Sequence, residues 1–254
     1  MPYLVGFFIA ALVGLTGVGA GSLTAPMLII FFGMAPAESV GTALVFGAVT
    51  KVAVVPVYVA RKQVSLRVLA LLCAGGVPGV LAGSLLLERL DLKKQESSLF
   101  LVLGATVLVT ALYSLYRSTR GSSAPGKDEV VPRDHAGFLP FLAAAIGAEV
   151  GFSSAGAGAL GSLALLCLTP LTPAQVVGTD LSFGLFLSVI GGGFHIASGH
   201  YDSMMLVKLI VGGLAGSFTG AWLAGILPPR PLRIILCVAL ASLGAELCWR
   251  AIAG

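Results

Sequence analysis

Two charged residues stand inside otherwise apolar stretches of the sequence: Lys51 in FGAVTKVAVVPVYV and Asp180 in VGTDLSFG. A lysine at the centre of a membrane-spanning helix costs about 2.5–3.5 kcal/mol on insertion scales, so it normally faces a polar cavity or a partner. We predict that Lys51 attracts an anion and that Asp180 binds a proton or balances the charge. The alternatives are a structural ion pair, or a lysine that reaches along its stem to the membrane surface.

A second set of candidates surrounds two glycine clusters, GLTGVGAGSL at 14–23 and FSSAGAGAL at 152–160. Glycines at alternate positions do not share a helix face, so helix packing alone explains them poorly. An interrupted helix would expose backbone N–H groups, and the N–H groups at a helix start attract anions. The predicted anion-binding residues here are Gly17, Gly19, Gly21, Ser22, Ser153, Ser154, Gly156 and Gly158.

Four further polar residues are candidates beside these clusters. Thr42 and Thr179 each follow a glycine and could donate their hydroxyls to an oxyanion, or bond back to their own helix turn. Glu149 and His195 are candidates for coupling or proton relay. The alternative for Glu149 is a wet helix end, and the alternative for His195 is interfacial packing.

The composition predicts the elements that must position these residues. Of 254 residues, 57% are hydrophobic and only 10% are charged, whereas soluble domains are about a quarter charged. Clustered basic residues that would indicate nucleic acid, Cys/His metal spacing and ATP-binding signatures are not found, and no cofactor is predicted. We therefore predict an all-α polytopic membrane protein with about eight hydrophobic segments, at 3–33, 40–60, 68–87, 97–116, 136–168, 174–197, 204–225 and 234–249.

Segments 1 and 5 are longer than one straight crossing of a hydrocarbon core about 30 Å thick requires. Each carries its glycine cluster near the middle. We predict that both are broken or re-entrant, because freed backbone groups are tolerated at membrane depth only where they are buried or line a watery cavity.

The sequence repeats itself at an offset of 137 residues. PAESVGTALVFG at 36–47 aligns with PAQVVGTDLSFG at 173–184, and GGVPGVLAG at 75–83 with GGLAGSFTG at 212–220. We predict two homologous four-segment repeats, at 1–116 and 136–254, joined by a polar linker at 117–135. Apart from Lys51, the Lys and Arg residues divide 9 against 5 between the two sides of the membrane. This division predicts a cytoplasmic linker but leaves parallel and inverted halves both open.

Duplicated halves are typical of secondary transporters, in which the substrate lies between the halves near mid-membrane. Asp180 aligns with Ala43, eight residues before Lys51, so the two charges are predicted to face one another across the repeat interface. The glycines spaced by four from Gly75 and from Gly212 instead predict close helix packing.

The glycine-rich first segment, PAESVGTALVFG and GGVPGVLAG, each echoed in the second half, resemble the sulfite exporter TauE/SafE family of anion permeases over nearly the whole chain. The resemblance implies transport of small sulfur-containing anions, such as sulfite and organosulfonates, across the bacterial inner membrane. A coupling ion, proton or sodium, is possible. Pro26 and Gly17 depart from perfect repeat symmetry, since they align with Leu163 and Ser154.

We therefore expect a secondary transporter for small anions that works by alternating access, and not an enzyme. Two other functions stay open. GFSS with His195 would suit an intramembrane Ser/His hydrolase, and the same segments could form a passive anion channel.

Overall fold

The computed structural model describes residues 2–16, 21–92, 96–119, 136–155, 157–224 and 229–253. These ranges contain helices and connecting turns, without a strand, which confirms the predicted all-α class. Ten α-helices occur in them, preceded at the start of the second half by a short 3-10 turn at Ala136–Phe138. The helices are α1 (Pro2–Thr16), α2 (Gly21–Phe32), α3 (Pro36–Ala60), α4 (Leu66–Leu92), α5 (Glu96–Thr119), α6 (Leu139–Ser153), α7 (Ala157–Leu168), α8 (Pro173–Ala197), α9 (Ser203–Ala224) and α10 (Pro229–Ala253).

Length and hydropathy mark three helices of the described ranges as able to cross a bilayer: Pro36–Ala60, Leu66–Leu90 and Ala174–Ala197. Shorter apolar helices accompany them, at Pro2–Ala11, Leu23–Phe32, Phe100–Leu112, Leu139–Ser153 and Ser203–Gly216. Large apolar side chains such as Phe8, Phe31 and Phe141 are more than half exposed. A surface of this kind suits lipid, and the chain is a polytopic helical membrane protein.

The fifth hydrophobic segment is broken, as predicted. Helix α6 ends at Ser153, Ser154 adopts the left-handed conformation with φ 60°, and α7 begins at Ala157. In the first segment, α1 is described up to Thr16 and α2 from Gly21, and the break predicted between them stays a prediction. Residues 17–20 lie outside the described residues.

Helices α3 and α8 start and stop by local signals that the sequence carries. Each has a proline in its first turn, and Thr172 and Gln175 form a capping box at the start of α8. Each helix is followed by a left-handed residue, Lys62 with φ 54° or Gly199 with φ 75°. The next residue then donates its N–H back into the helix: Gln63 to Tyr58, and His200 to His195.

Four helix pairs make the most extensive contacts: α1 with α9, α4 with α6, α5 with α10, and α3 with α8. Glycines spaced by four residues line two of these interfaces. Gly75, Gly79 and Gly83 of α4 lie against the backbone carbonyls of Pro140, Ala144 and Ala148 in α6. Gly212 and Gly216 of α9 lie in the same way against Tyr3 and Phe7 in α1. A Cβ atom at any of these positions would collide with backbone, so glycine allows the close approach.

Equivalent positions recur at the 137-residue offset. The bounds of α1 and α6 differ by 137 at both ends, as do those of α3 and α8. Helices α3 and α8 are antiparallel, because Gly41 near the start of α3 packs on His195 while Gly178 near the start of α8 packs on Tyr58. Most of the linker, residues 120–135, lies outside the described part of the chain, and the division at 117–135 remains a prediction.

Candidate functional site

Lys51 lies near the point where α3 crosses α8. Its Nζ donates a hydrogen bond of 2.8 Å to Ser188 Oγ and one of 3.1 Å to the Gly184 carbonyl oxygen, both on α8. Ser188 is buried and Lys51 is partly buried. The ammonium is therefore held between the two helices by neutral acceptors, and of its three N–H groups the described contacts occupy two.

Asp180 lies on α8 one turn before Gly184, and its side chain is buried. Its Oδ2 accepts a hydrogen bond of 2.6 Å from Ser162 of α7, whereas Oδ1 has no hydrogen-bond partner. Lys51 and Asp180 attract each other electrostatically but do not form a direct ion pair, since Lys51 donates to the next two turns of α8. The structure thus brings the two charges into one region without joining them.

The break after α6 concentrates polar groups. Ser153 Oγ donates to the Glu149 carbonyl oxygen at 3.0 Å, lies 3.3 Å from Glu149 Oε1, and accepts from the Ala155 N–H. The Ser154 hydroxyl is buried without a partner, and so is Glu149 Oε2. Ser154 therefore holds a hydroxyl that can still donate, at a place where the backbone itself has left the helix.

The glycine predictions can be located only in part. Gly158 lies in the first turn of α7, where the N–H groups have no helical acceptors. Gly21 is the first described residue of α2. Gly17, Gly19 and Gly156 lie outside the described residues, as does the side chain of Ser22.

Thr42 and Thr179 are fully buried and serve as hydrogen-bond acceptors. Thr42 Oγ1 accepts from the Asp202 N–H at 3.2 Å, and Thr179 Oγ1 accepts from the Ser65 N–H at 3.0 Å. Each threonine thereby ties its helix to the residue that precedes α9 or α4. The two contacts are equivalent, because Thr179 stands 137 positions after Thr42 and Asp202 stands 137 positions after Ser65.

His195 is fully buried near the end of α8, where it packs against Gly41 and the ring of His200. It lies near the Gly151 carbonyl at a geometry short of a hydrogen bond. Fifteen residues, or about 22 Å of helix, separate it from Asp180, and His195 makes no hydrogen bond to Asp180 or Lys51. His195 and Ser154 do not hydrogen-bond to each other.

Sequence reasoning missed the partners of the two charges. No local pattern in the sequence predicts that Ser162 contacts Asp180, or that Gly184 and Ser188 contact Lys51. One signal was available for Ser188, because it aligns with Lys51 at the repeat offset. A residue and its counterpart meet when both lie near a two-fold axis.

Known proteins resemble this chain over nearly its full length. The profile of the sulfite exporter TauE/SafE family matches residues 3–247. The probable membrane transporter protein YjnA of Bacillus subtilis (strain 168) is 30% identical over 251 residues, which cover 96% of this chain and 97% of the relative. The probable membrane transporter protein YdhB of the same organism is 23% identical over 244 residues, which cover 94% and 97%. No solved structure matches significantly. The chain therefore belongs to the sulfite exporter TauE/SafE family and is a multi-pass membrane transporter.

Proposed function

We propose that the protein is a secondary transporter of small anions, with sulfite and organosulfonates as its substrate class, and that it works by alternating access around a site between its two halves. The observation that carries this proposal is Lys51, a cation held inside the helix bundle by Gly184 and Ser188. A positive charge at this depth is costly unless it has a function or a partner. An anion beside its remaining N–H would satisfy both the charge and the hydrogen bond.

The break between α6 and α7 supports the same site. Ser162 of α7 bonds to Asp180 of α8, and Asp180 lies one turn before Gly184 and two turns before Ser188, the groups that hold Lys51. The start of α7 and the lysine thus belong to neighbouring parts of one region. The buried Ser154 hydroxyl and the N–H groups of the first turn of α7 would supply neutral donors for anion oxygens.

The equivalent threonine contacts support alternating access. Thr42 accepts a hydrogen bond from the residue before α9, and Thr179 accepts one from the residue before α4. Because α3 and α8 are antiparallel, these two contacts lie at opposite ends of the α3–α8 pair. A carrier requires two ends that can open separately, and one hydrogen bond of the same kind is available at each end.

We propose that the protein lies in the bacterial cell membrane, as its family and its Bacillus subtilis relatives suggest. We propose that the linker 117–135 is cytoplasmic, because more Lys and Arg flank that side. In this proposal a proton or sodium gradient drives transport of the substrate across the membrane.

The test is transport by the purified protein reconstituted into lipid vesicles. We expect saturable uptake of labelled sulfite or methanesulfonate above that of protein-free vesicles, and faster uptake when the vesicles contain unlabelled substrate. Acceleration by internal substrate is typical of a carrier. Conductance without this acceleration would indicate a passive channel, and cleavage of a reconstituted peptide would indicate the hydrolase alternative.

A further inference from the structure

Asp180 and Lys51 carry opposite charges in one buried region, yet neither neutralises the other by contact. We propose that Asp180 binds the coupling proton: an anion settles beside Lys51 when Asp180 is protonated, so that one proton and one anion enter the site together. This inference rests on the proposed function, since it names the coupling ion of the same site and the order in which the site is filled.

The carboxyl group of Asp180 has one oxygen available for a proton. Oδ2 accepts from the Ser162 hydroxyl at 2.6 Å, while Oδ1 is buried and has no partner. Gly161 lies directly against Oδ1, and a Cβ at that position would collide with the oxygen. The serine and the glycine therefore fix the carboxyl group, and a proton from water would bind to Oδ1. The new O–H would then be a donor toward the anion or a water molecule.

Charge balance explains why protonation and anion binding occur together. With Asp180 ionised, its charge compensates that of Lys51 across the short distance between them. An anion arriving in that state would place two negative charges against one positive charge, and like charges repel strongly where water is scarce. With Asp180 protonated, Lys51 is uncompensated and the anion restores neutrality.

The groups that face Asp180 come from different helices. Lys51 of α3 is the charged neighbour, and Ser162 of α7 is the polar one. Helix α4 meets α8 through Gly76, which packs on the apolar side chains of Phe183 and Leu187. Helix α6 approaches α8 near His195, at the far end of the helix. The proton site therefore consists of Asp180 and Ser162, with Lys51 as its electrostatic partner.

Proton uptake on anion binding tests this inference directly. Titration calorimetry of the purified protein with methanesulfonate, which stays ionised at all working pH values, is carried out in buffers of different ionisation enthalpy and at a series of pH values. We expect up to one proton taken up per anion by the wild type and none by Asp180→Asn. The control is Glu246→Gln, which removes an exposed carboxylate paired with Arg250 and is expected to behave as the wild type.

Asp180→Asn resembles the protonated side chain in shape and charge, so we expect it to fold. Equal proton uptake by Asp180→Asn and the wild type would overturn the inference, and so would zero uptake by the wild type at every pH.

Infrared spectroscopy of the unliganded protein provides a second readout that does not depend on transport. Acidification is expected to produce C=O stretching bands of buried protonated carboxyl groups in the wild type, and Asp180→Asn is expected to lose one of them while it keeps the band of the buried Glu149. Equal bands in the two proteins would contradict the inference. A wild type without such a band contradicts the inference. The wild type could instead show the band that Asp180→Asn loses but fail to bind methanesulfonate. That result would support the proton site at Asp180 and contradict sulfonates as the substrate class of the proposed function.

Discussion

Lys51 donates a hydrogen bond of 2.8 Å to Ser188, the residue that stands 137 positions later and aligns with it in the sequence repeat. Equivalent residues on two related helices touch only where the helices cross near their common axis. Lys51 therefore lies near the axis that would relate α3 to α8.

Replacing Lys51 tests the proposed anion site. Lys51→Met keeps the length of the side chain and removes the charge, and we expect anion binding to weaken about 10- to 100-fold, because a hydrogen bond to a charged group contributes about 1.5–3 kcal/mol. Vesicle uptake of labelled sulfite measures the effect. The matched control is Lys62→Met, which removes an exposed lysine at the end of α3. Full transport by Lys51→Met would remove this residue from the site.

Ser154 separates backbone strain from anion binding. It is a non-glycine residue with φ 60°, so Ser154→Gly relieves about 1 kcal/mol of strain and is expected to raise the melting temperature in detergent. The variant also loses a buried hydroxyl, and we expect binding to weaken about 2- to 10-fold. Lys62→Gly is the control, because its φ is 54° but it lies away from the break. Unchanged binding by Ser154→Gly would exclude the hydroxyl as a ligand.

The glycine interface between α4 and α6 is expected to be intolerant of a single methyl group. Gly79→Ala places a Cβ against the Ala144 carbonyl, and we expect a loss of stability of about 1–3 kcal/mol from overpacking. Gly193→Ala on α8 is the control, since nothing lies within 4 Å of its Cβ position; helix propensity predicts no loss there. Thermal unfolding in detergent measures both. Equal melting temperatures would show that the interface can yield.

The buried threonines are expected to close the two ends of the α3–α8 pair. Thr42→Val leaves the Asp202 N–H without its acceptor, which costs about 1–3 kcal/mol, and we expect altered transport rates together with lower stability. Thr42→Ser keeps the hydroxyl and should restore both. The control is Thr219→Val, whose hydroxyl bonds only to its own helix. Loss of binding affinity without loss of stability would favour the original prediction of a ligand.

The helices and the break after Ser153 could be predicted because their causes are local. Apolar runs set the helices, proline opens α3 and α8, and the glycine cluster with Ser153–Ser154 disfavours continuous helix. All of these are properties of neighbouring residues, and so they can be read from the chain in order.

The contacts of the polar residues could not be predicted because they depend on how helices cross. That Lys51 donates to Gly184 and Ser188 follows from the position of the α3–α8 crossing. Repeat alignment predicts that Asp180 faces Lys51, whereas only packing shows that Ser162 donates to Asp180. His195 was grouped with Asp180, whereas the length of α8 keeps the two apart.

The glycine contacts have a consequence for how such a molecule can move. Helix α4 packs closely on α6, and α9 packs closely on α1. Each of these pairs therefore combines a helix that precedes the linker in the sequence with one that follows it. Because each closely packed pair contains one helix of each half, the rigid units of the bundle are the pairs and not the two halves. A rocking motion that keeps these contacts would move the α1–α9 pair relative to the α4–α6 pair, with the α3–α8 crossing as the pivot between them.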